Sequence, residues 1–159
     1  MSVLQKGVIM QTFLPYEDFV KSARVLDNKR LGKQRVEAMQ ILNTLETNNG
    51  WRNHPIVKMW DGHEAWLVLY TTMICHEWKQ RGYKDTVLNK VLDKYGEFVL
   101  EKPKPKPHWL GNKQLHSSHR ANLLRKEPDW YEPFGWKENP AQPYLWWTPE
   151  KGWYQGVTN

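Results

Sequence analysis

The sequence predicts an all-α fold, a compact single-domain helical bundle with an irregular, aromatic-rich C-terminal tail. Apolar residues recur three and four positions apart in several segments, which is the period of an amphipathic helix. Stretches rich in Pro, Gly and Asn separate these segments. A chain of 159 residues is too short for two ordinary domains. We therefore predict one domain, with an N-terminal extension over residues 1–9, a helical region over 10–136 and the tail over 137–159.

The first two helices are predicted from their end signals. Pro15 suits the first position of a helix, which should run to about Val25. A second helix covers residues 26–45, where Asp27 can cap the start. The Asn-Asn-Gly sequence at 48–50 ends it.

The next helices follow the same logic. Pro55 opens a short turn of helix that ends at 61–62. Residues 63–81 are apolar nearly all round the helical wheel, which predicts the buried centre of the bundle. Glu77 falls on that apolar surface and should form a salt bridge or titrate abnormally. Cys75 should be buried.

The last part of the chain changes in composition. Asp85 can cap a helix over 86–95, with Val87, Leu88, Val91 and Leu92 directed inward. The alternating Lys-Pro run at 102–107 predicts a stiff, extended spacer that either follows phosphates or crosses the surface. A further helix covers 112–126, and an aromatic turn follows at 128–136.

The second helix concentrates positive charge around one carboxylate. Arg30, Lys33 and Glu37 lie three and four residues apart and share one face, opposite an apolar face of Leu31, Ala38, Leu42 and Leu45. Arg35 falls inside the apolar arc, where a charge is costly unless a carboxylate or phosphate meets it. Such a helix can hold a phosphate backbone beside a catalytic acid. The alternative is a solvated amphipathic helix with one arginine reaching toward water.

Composition favours a nucleic-acid partner. The net charge is +6 and the pI about 9.4, which suits a polyanion. We expect no membrane contact because no apolar run approaches the ~20 residues of a spanning helix. The chain has ten Trp, seven Tyr and four Phe, which either stack on exposed bases or fill a helical core. One cysteine allows no internal disulfide, so a reducing cytoplasm is expected.

Signatures of catalysis that depend on local spacing are missing. The sequence has no phosphate-binding glycine loop, no cysteine-pair zinc site and no serine elbow. His116 and His119 could pair as metal ligands, completed by His54, His63 or His108. No carboxylate or cysteine lies at a matching spacing, so we expect neither a metal nor a cofactor.

Three blocks in the same order resemble the pyrimidine-dimer DNA glycosylases of the phage endonuclease V type and their bacterial relatives. They are the arginine-rich helix at 29–40, the loop at 50–55 with the long helix ending at 79–83, and the final helix running into 128–135. The resemblance covers roughly 10–136 and includes a small bacterial and phage branch that opens like residues 10–16. It implies an all-helical domain, a monomer without a cofactor in a bacterial or phage-infected cell. That domain bends duplex DNA, flips a base out, cuts the glycosidic bond and can then nick the strand.

The resemblance also implies catalytic residues. In that family an amine attacks the sugar C1′ to form an imine, and a glutamate assists. Glu37 matches the glutamate; Arg35 and Arg30 match its arginines approximately, because Val36 stands where the family usually has arginine. The carboxylate stabilises an oxocarbenium-like sugar and the arginines hold phosphates. The other predicted DNA-binding residues are Lys33, Arg52, His54, His119, Arg120, Arg125, Trp130 and Tyr131.

The nucleophile remains open at the sequence level. The family uses the α-amino group at the start of the mature chain, whose pKa of about 8 leaves a neutral fraction at pH 7. Here nine residues precede Met10. Translation begins at Met10, or the longer chain folds its amine back, or Lys33 or Lys6 substitutes, or no imine forms. Two rival functions also stay open: a glycosylase for another modified base that uses Glu37 to activate water, and a non-catalytic DNA-binding protein.

Overall fold

A computed structural model describes residues 10–156, so the predicted extension at 1–9, including Lys6, lies outside the described residues. The described part is mostly helical, as predicted, and ends in a two-stranded hairpin. Its helices are α1 (Phe19–Val25), α2 (Asn28–Thr47), α3 (Pro55–Trp60), α4 (Glu64–Gln80), α5 (Val87–Tyr95), α6 (Glu97–Leu100), α7 (Lys113–Lys126) and α8 (Pro128–Tyr131). A 3-10 turn covers Glu132–Phe134, and strands β1 (Leu145–Thr148) and β2 (Gly152–Gln155) form the hairpin.

Helix α4 is the centre of the bundle, as its apolar sequence predicts. It packs against α1, α2, α5 and α6, and it buries Leu67, Val68, Tyr70, Ile74 and Cys75. Leu69 differs, since 38% of it is exposed. The expected ion pair of Glu77 is present, with its carboxylate 2.9 Å from Nε of Arg81.

Helix α2 has the predicted ends. The side chain of Asp27 accepts from the Arg30 backbone N–H at 3.3 Å. Asn48 ends the helix in the left-handed conformation, with φ of 56°. Leu31, Ala38 and Leu42 are buried on the side that faces the core.

Helix α1 begins at Phe19 and not at Pro15, so the predicted start is wrong. Asp18 caps it by accepting from the Lys21 N–H at 3.0 Å. Side chains bind the backbone of the residues just before it. The Pro15 carbonyl accepts from Arg120 of α7 at 2.7 Å, and the Tyr16 N–H donates to the Ser22 hydroxyl at 3.1 Å. The segment before them is held in the same way, since the Phe13 N–H donates to Gln34 at 2.9 Å and the Leu14 N–H donates to His119 at 2.9 Å.

Helix α5 is only partly as predicted. Asp85 accepts from the Val87 and Leu88 N–H groups at 3.2 and 2.8 Å. Val87 and Val91 are buried, but Leu92 is exposed, against the prediction.

The prediction of an irregular tail is wrong for its second half, which contains the antiparallel hairpin. In the hairpin, Leu145 pairs with Gln155 and Thr148 pairs with Gly152. Its strands consist largely of Trp, Tyr and Thr, which favour pleated structure. The nearby Pro and Gly residues obscured that pattern in the sequence. β1 packs on α3 and α7, and its Leu145 N–H donates to the Ser118 hydroxyl at 3.1 Å.

The Lys-Pro spacer crosses the surface without helical or strand structure. Trp66 donates to the Lys104 carbonyl at 3.2 Å. Lys104 lies 3.4 Å from Glu101, and Lys106 lies 2.7 Å from Glu17. Within residues 10–156, no helix is long and apolar enough to cross a membrane.

Candidate active site

Glu37 lies in the middle of α2, where the extended residues 11–13 meet that helix. Its carboxylate accepts from the backbone N–H of Gln11 and from Gln34 Nε2, the latter at 3.1 Å. Burial raises the pKa of Glu37 to about 7, although Lys33, the Gln11 N–H, Lys126 and Gln34 each oppose the rise. A carboxyl with this pKa can accept and return a proton at neutral pH.

The amide of Gln34 joins Glu37 to the chain segment beside it. Its Nε2 donates to the Gln11 carbonyl at 2.7 Å, and its Oε1 accepts from the Phe13 N–H at 2.9 Å. The Tyr70 hydroxyl lies 2.6 Å from the same Oε1 and 2.8 Å from the Phe13 carbonyl. Gln34 and Tyr70 are buried. The surroundings of Glu37 are therefore fixed by hydrogen bonds from α2, α4 and residues 11–13.

Several cations gather near Glu37. Lys33 and Lys126 both act on its charge. Burial, together with nearby Arg30 and Arg125, lowers the pKa of Lys126. Arg30 lies 3.3 Å from Asp27 and 3.7 Å from Glu127, so it links the start of α2 to the end of α7. A partly buried carboxyl with cations near it is suited to a substrate that carries phosphates.

Lys126 was missed from the sequence. It ends α7, where basic residues are common because they offset the helix dipole, so its type and position carried no distinct signal. Tyr144 was missed as well, since it lies in the supposedly irregular tail. It is fully buried beside His119 and acts electrostatically with Glu37. Only the packing of α7 and β1 brings these two residues toward α2.

Arg35 is paired within the protein. Its guanidinium is 2.5 Å from Asp85, whose side chain is 1% exposed, and it lies 4.6 Å from the centre of the Trp78 ring. It is not among the charged groups that act on Glu37. Arg35 lies in the apolar arc of α2, where its charge needs an acidic partner, and that partner is Asp85. The ion pair joins α2 to the start of α5.

The two predicted histidines are buried and neutral. His54 caps α3 by accepting from the Ile56 N–H at 3.0 Å, and burial lowers its pKa to about 4. His119 accepts from the Leu14 N–H at 2.9 Å, and burial lowers its pKa to about 3. Both rings hold backbone in place and present no positive charge to DNA at pH 7.

Both ring nitrogens of His116 contact backbone: Nε2 accepts from the Gly111 N–H at 2.9 Å, and Nδ1 lies 2.8 Å from the Leu14 carbonyl. Neither nitrogen is left to pair with His119 on a metal. Among residues 10–156, no group of three or more His, Cys, Asp or Glu residues could hold a metal ion.

Three predicted arginines form contacts within the protein. Arg52 lies 2.8 Å from Asp61. Arg120 lies 2.9 Å from Glu138 and donates to the Pro15 carbonyl at 2.7 Å. Arg125 donates to the Pro140 carbonyl at 3.0 Å and also binds Asn122. Of these, the structure brings only Arg125 into the group around Lys126.

The predicted aromatic residues differ in exposure. Tyr131 is buried, and its hydroxyl donates to Asp27 at 2.5 Å, which fixes the start of α2. Trp130 is 38% exposed and donates to the Val25 carbonyl at 2.8 Å. Phe134 stacks on Trp136 and is also exposed. Trp130 and Phe134 can contact a ligand, whereas Tyr131 supports α2.

An open groove of about 510 Å³ runs along α2 as far as Glu37. Gly32 forms part of it, and a Cβ there would lie 3.0 Å from the Trp78 ring. The volume is in the range of small-ligand sites. The lining residues are Asn28, Lys29, Gly32, Lys33, Val36, Glu37 and Trp78.

The described chain is thus a helical domain that carries a carboxyl with a raised pKa beside several cations. The model of the family described as pyrimidine dimer DNA glycosylase matches residues 10–90, just over half of the chain. The chain belongs to this family, which confirms the resemblance in the sequence. It is therefore a DNA glycosylase of the kind that excises pyrimidine-dimer bases in DNA repair. Comparisons with curated proteins and with solved structures gave no match.

Proposed function

We propose that this protein, as a monomer in the cytoplasm, excises a damaged pyrimidine from duplex DNA with Glu37 as the central acid/base. The observation that carries the proposal is the Glu37 carboxyl, whose pKa of about 7 is set by burial while it accepts a hydrogen bond from the Gln11 N–H. Lys33 and Lys126 flank it and are suited to hold the phosphates beside the flipped nucleotide.

The proposed chemistry follows from that position. As the bond between C1′ and the base breaks, its electron pair leaves with the base and C1′ becomes oxocarbenium-like. The ionised Glu37 stabilises that charge. A nucleophile then bonds to C1′ and passes a proton to Glu37. Activity should therefore rise with pH through the pKa of Glu37.

The position of Gln11 supports an amine as this nucleophile. Its backbone nitrogen donates to Glu37, so in a chain that began at Gln11 the same nitrogen would be an α-amine beside the catalytic carboxylate. After the amine has bonded to C1′, the C1′–O4′ bond breaks, O4′ takes the proton back from Glu37, and the nitrogen lone pair completes the imine. That imine would permit strand cleavage by β-elimination. Lys33 and Lys126 are further amines near Glu37. Lys6 lies outside the described residues.

A second candidate is a monofunctional glycosylase in which Glu37 activates water. In the 159-residue chain the Gln11 nitrogen is an amide, which is not nucleophilic, and this favours water as the attacking group. Both candidates use Glu37 and differ in whether a covalent intermediate forms.

The test compares the full chain, a chain shortened to begin at Gln11, and Glu37→Gln in each. On duplex DNA with a pyrimidine dimer, Glu37→Gln should abolish base release while affinity changes by less than about tenfold, because the carboxylate acts in the transition state. Borohydride should trap the shortened chain on abasic DNA and trap the full chain poorly. Circular dichroism and melting curves control for folding.

Three results would count against these assignments. Normal base release by folded Glu37→Gln would remove Glu37 from the mechanism. Equal trapping of both chains, mapped to a lysine, would exclude the Gln11 amine. Base release without trapping in either chain would favour activated water.

A further inference from the structure

The side chain of Gln34 touches both Glu37 and the chain segment that passes it. We propose that Gln34 is a positioning residue, whose amide holds the Glu37 carboxylate and the Gln11 nitrogen in register for base excision. This inference rests on the proposed role of Glu37. It assigns a separate task to a residue one helical turn away.

Every hydrogen-bonding position of the Gln34 amide is occupied. Nε2 donates to the Gln11 carbonyl at 2.7 Å and to Glu37 at 3.1 Å. Oε1 accepts from the Phe13 N–H at 2.9 Å and from the Tyr70 hydroxyl at 2.6 Å. A side-chain amide has two N–H donors and two acceptor lone pairs, so no donor or acceptor of the Gln34 amide is left without a partner. Turning the amide over would set donor against donor at Phe13 and acceptor against acceptor at Gln11.

The bonds to residues 11 and 13 resemble those of a neighbouring β-strand. One backbone carbonyl accepts and one backbone N–H donates, two residues apart on the same edge of the segment, as in a strand ladder. Residues 11–13 belong to neither strand of the hairpin. A side chain of α2 thus replaces the strand that would otherwise fix this segment, and the same side chain binds Glu37.

Gln34 also affects the charge of Glu37. Its N–H favours the ionised carboxylate and so opposes the effect of burial. The other groups that face Glu37 are Lys33 on α2, Lys126 at the end of α7 and the Gln11 N–H. Tyr70 on α4 and Tyr144 before β1 are the buried hydroxyls that interact with its charge. Tyr70 bonds to the Gln34 oxygen, so Gln34 lies between it and Glu37.

The test uses two substitutions of Gln34. Gln34→Met removes all four hydrogen bonds. Gln34→Asn keeps the amide but is one methylene shorter, so it cannot reach Glu37 and residues 11 and 13 together, and it decides the matter if Gln34→Met does not fold. For each, single-turnover base release from dimer-containing duplex is measured across pH. We expect the rate constant to fall about 100-fold, as for a small misplacement of catalytic groups. Half-maximal DNA binding should change less than about threefold, and the acid limb of the pH profile should move to higher pH, because a donor to the ionised Glu37 carboxylate is lost.

A matched control lies on the same helix. Thr44 is buried, and its hydroxyl donates to the Gln40 carbonyl at 2.8 Å. Thr44→Val loses a buried hydrogen bond two turns beyond Glu37 without touching residues 11–13. Its base release and its pH profile should match those of the parent.

The outcomes separate this inference from the proposed function. Folded Gln34 variants with the parent rate constant and acid limb would overturn the positioning role, while loss of activity in Glu37→Gln would leave the role of Glu37 intact. If Thr44→Val lost as much activity as the Gln34 variants, and the acid limb did not move in any of them, that result would also overturn it. Normal base release by Glu37→Gln would overturn both.

Discussion

Glu37 shows how one residue can oppose stability and serve catalysis. Burial raises its pKa to about 7, which means that the folded protein holds this proton more tightly than the unfolded chain does. At pH values above 7 the carboxylate is kept ionised in a partly buried place, at a cost in folding free energy. The same ionised form is the one that the proposed chemistry needs.

The cost can be measured through the pH dependence of unfolding. Between the unfolded pKa of 4.5 and the folded pKa of about 7, the folded state binds more protons, so the free energy of unfolding should fall as pH rises. Glu37→Gln lacks this dependence. Relative to the parent, it should gain about 2 kcal/mol between pH 5 and pH 8, at 1.36 kcal/mol per unit and discounted for solvent contact.

Urea unfolding of both proteins at the two pH values checks this expectation. The difference between the proteins is the quantity to read, because His54 and His119, with lowered pKa values, titrate in both. The effect of these histidines on stability is opposite to that of Glu37. Because their pKa values are lowered in the folded state, the free energy of unfolding decreases as the pH falls below about 6.5. A gain that is the same at pH 5 and pH 8 would contradict the burial of Glu37.

The sequence could identify Glu37 but not its environment. Its spacing from Arg30 and Lys33 is local, and the resemblance to a glycosylase family pointed to the same residue. Its pKa depends on residues 11–13 and on Lys126, which reach it only in the folded chain. The surroundings of His54 and His119 are likewise created only by folding, which buries both rings and gives each a backbone bond.

At the scale of elements, the ion pair of Arg35 and Asp85 joins α2 to α5. We expect Arg35→Met to lower the free energy of unfolding by about 3 kcal/mol, because it leaves a buried carboxylate without its partner. Base release per folded molecule should stay within about threefold of the parent, since Arg35 is not among the groups acting on Glu37. Urea unfolding and active-site-normalised kinetics measure the two effects.

A matched double variant removes the charge of Asp85 as well as that of Arg35. Arg35→Met combined with Asp85→Asn should recover part of the lost stability, because no unpaired charge is then buried. If Arg35→Met were stable but inactive, the original prediction of Arg35 as a catalytic residue would regain its support.

Helix positions were predictable where the signals were local. Asp27, Asn48 and Pro55 mark helix ends through capping and turn chemistry, and the elements follow them closely. The predicted start of α1 was wrong because distant side chains form hydrogen bonds with the backbone of residues 13–15. The sequence analysis did not predict the hairpin because Pro and Gly residues around the two strands obscure the strand pattern.

At the scale of the whole molecule, some positive side chains lie beside acidic partners and others lie among further cations. The spacer lysines Lys104 and Lys106 lie near acids, whereas Lys33 and Lys126 face Glu37 among further cations. We predict that Lys126→Gln lowers the slope of log K against log salt for duplex DNA by ~0.9, the value for one lost phosphate contact. Fluorescence titrations over a range of salt concentrations measure it.

Two controls belong to this measurement. Lys113→Gln alters the opposite end of α7, about 20 Å away at 1.5 Å per residue, and should leave the slope unchanged. Replacing Lys104 and Lys106 together should also leave it unchanged. A lower slope in the spacer variant would instead place the spacer on the phosphates, and an unchanged slope in Lys126→Gln would remove this lysine from the DNA interface.

The contacts of residues 14–16 with the far end of the chain bear on how the enzyme is made. Leu14 binds His119 across 105 positions, and Trp136 donates to Tyr16 across 120. Such distant pairings form slowly because a long loop must close first. During synthesis, α2 leaves the ribosome well before α7 and Trp136 are available to hold residues 14–16. The nascent protein thus carries its basic helix, and the charge to attract DNA, before it has a completed catalytic site.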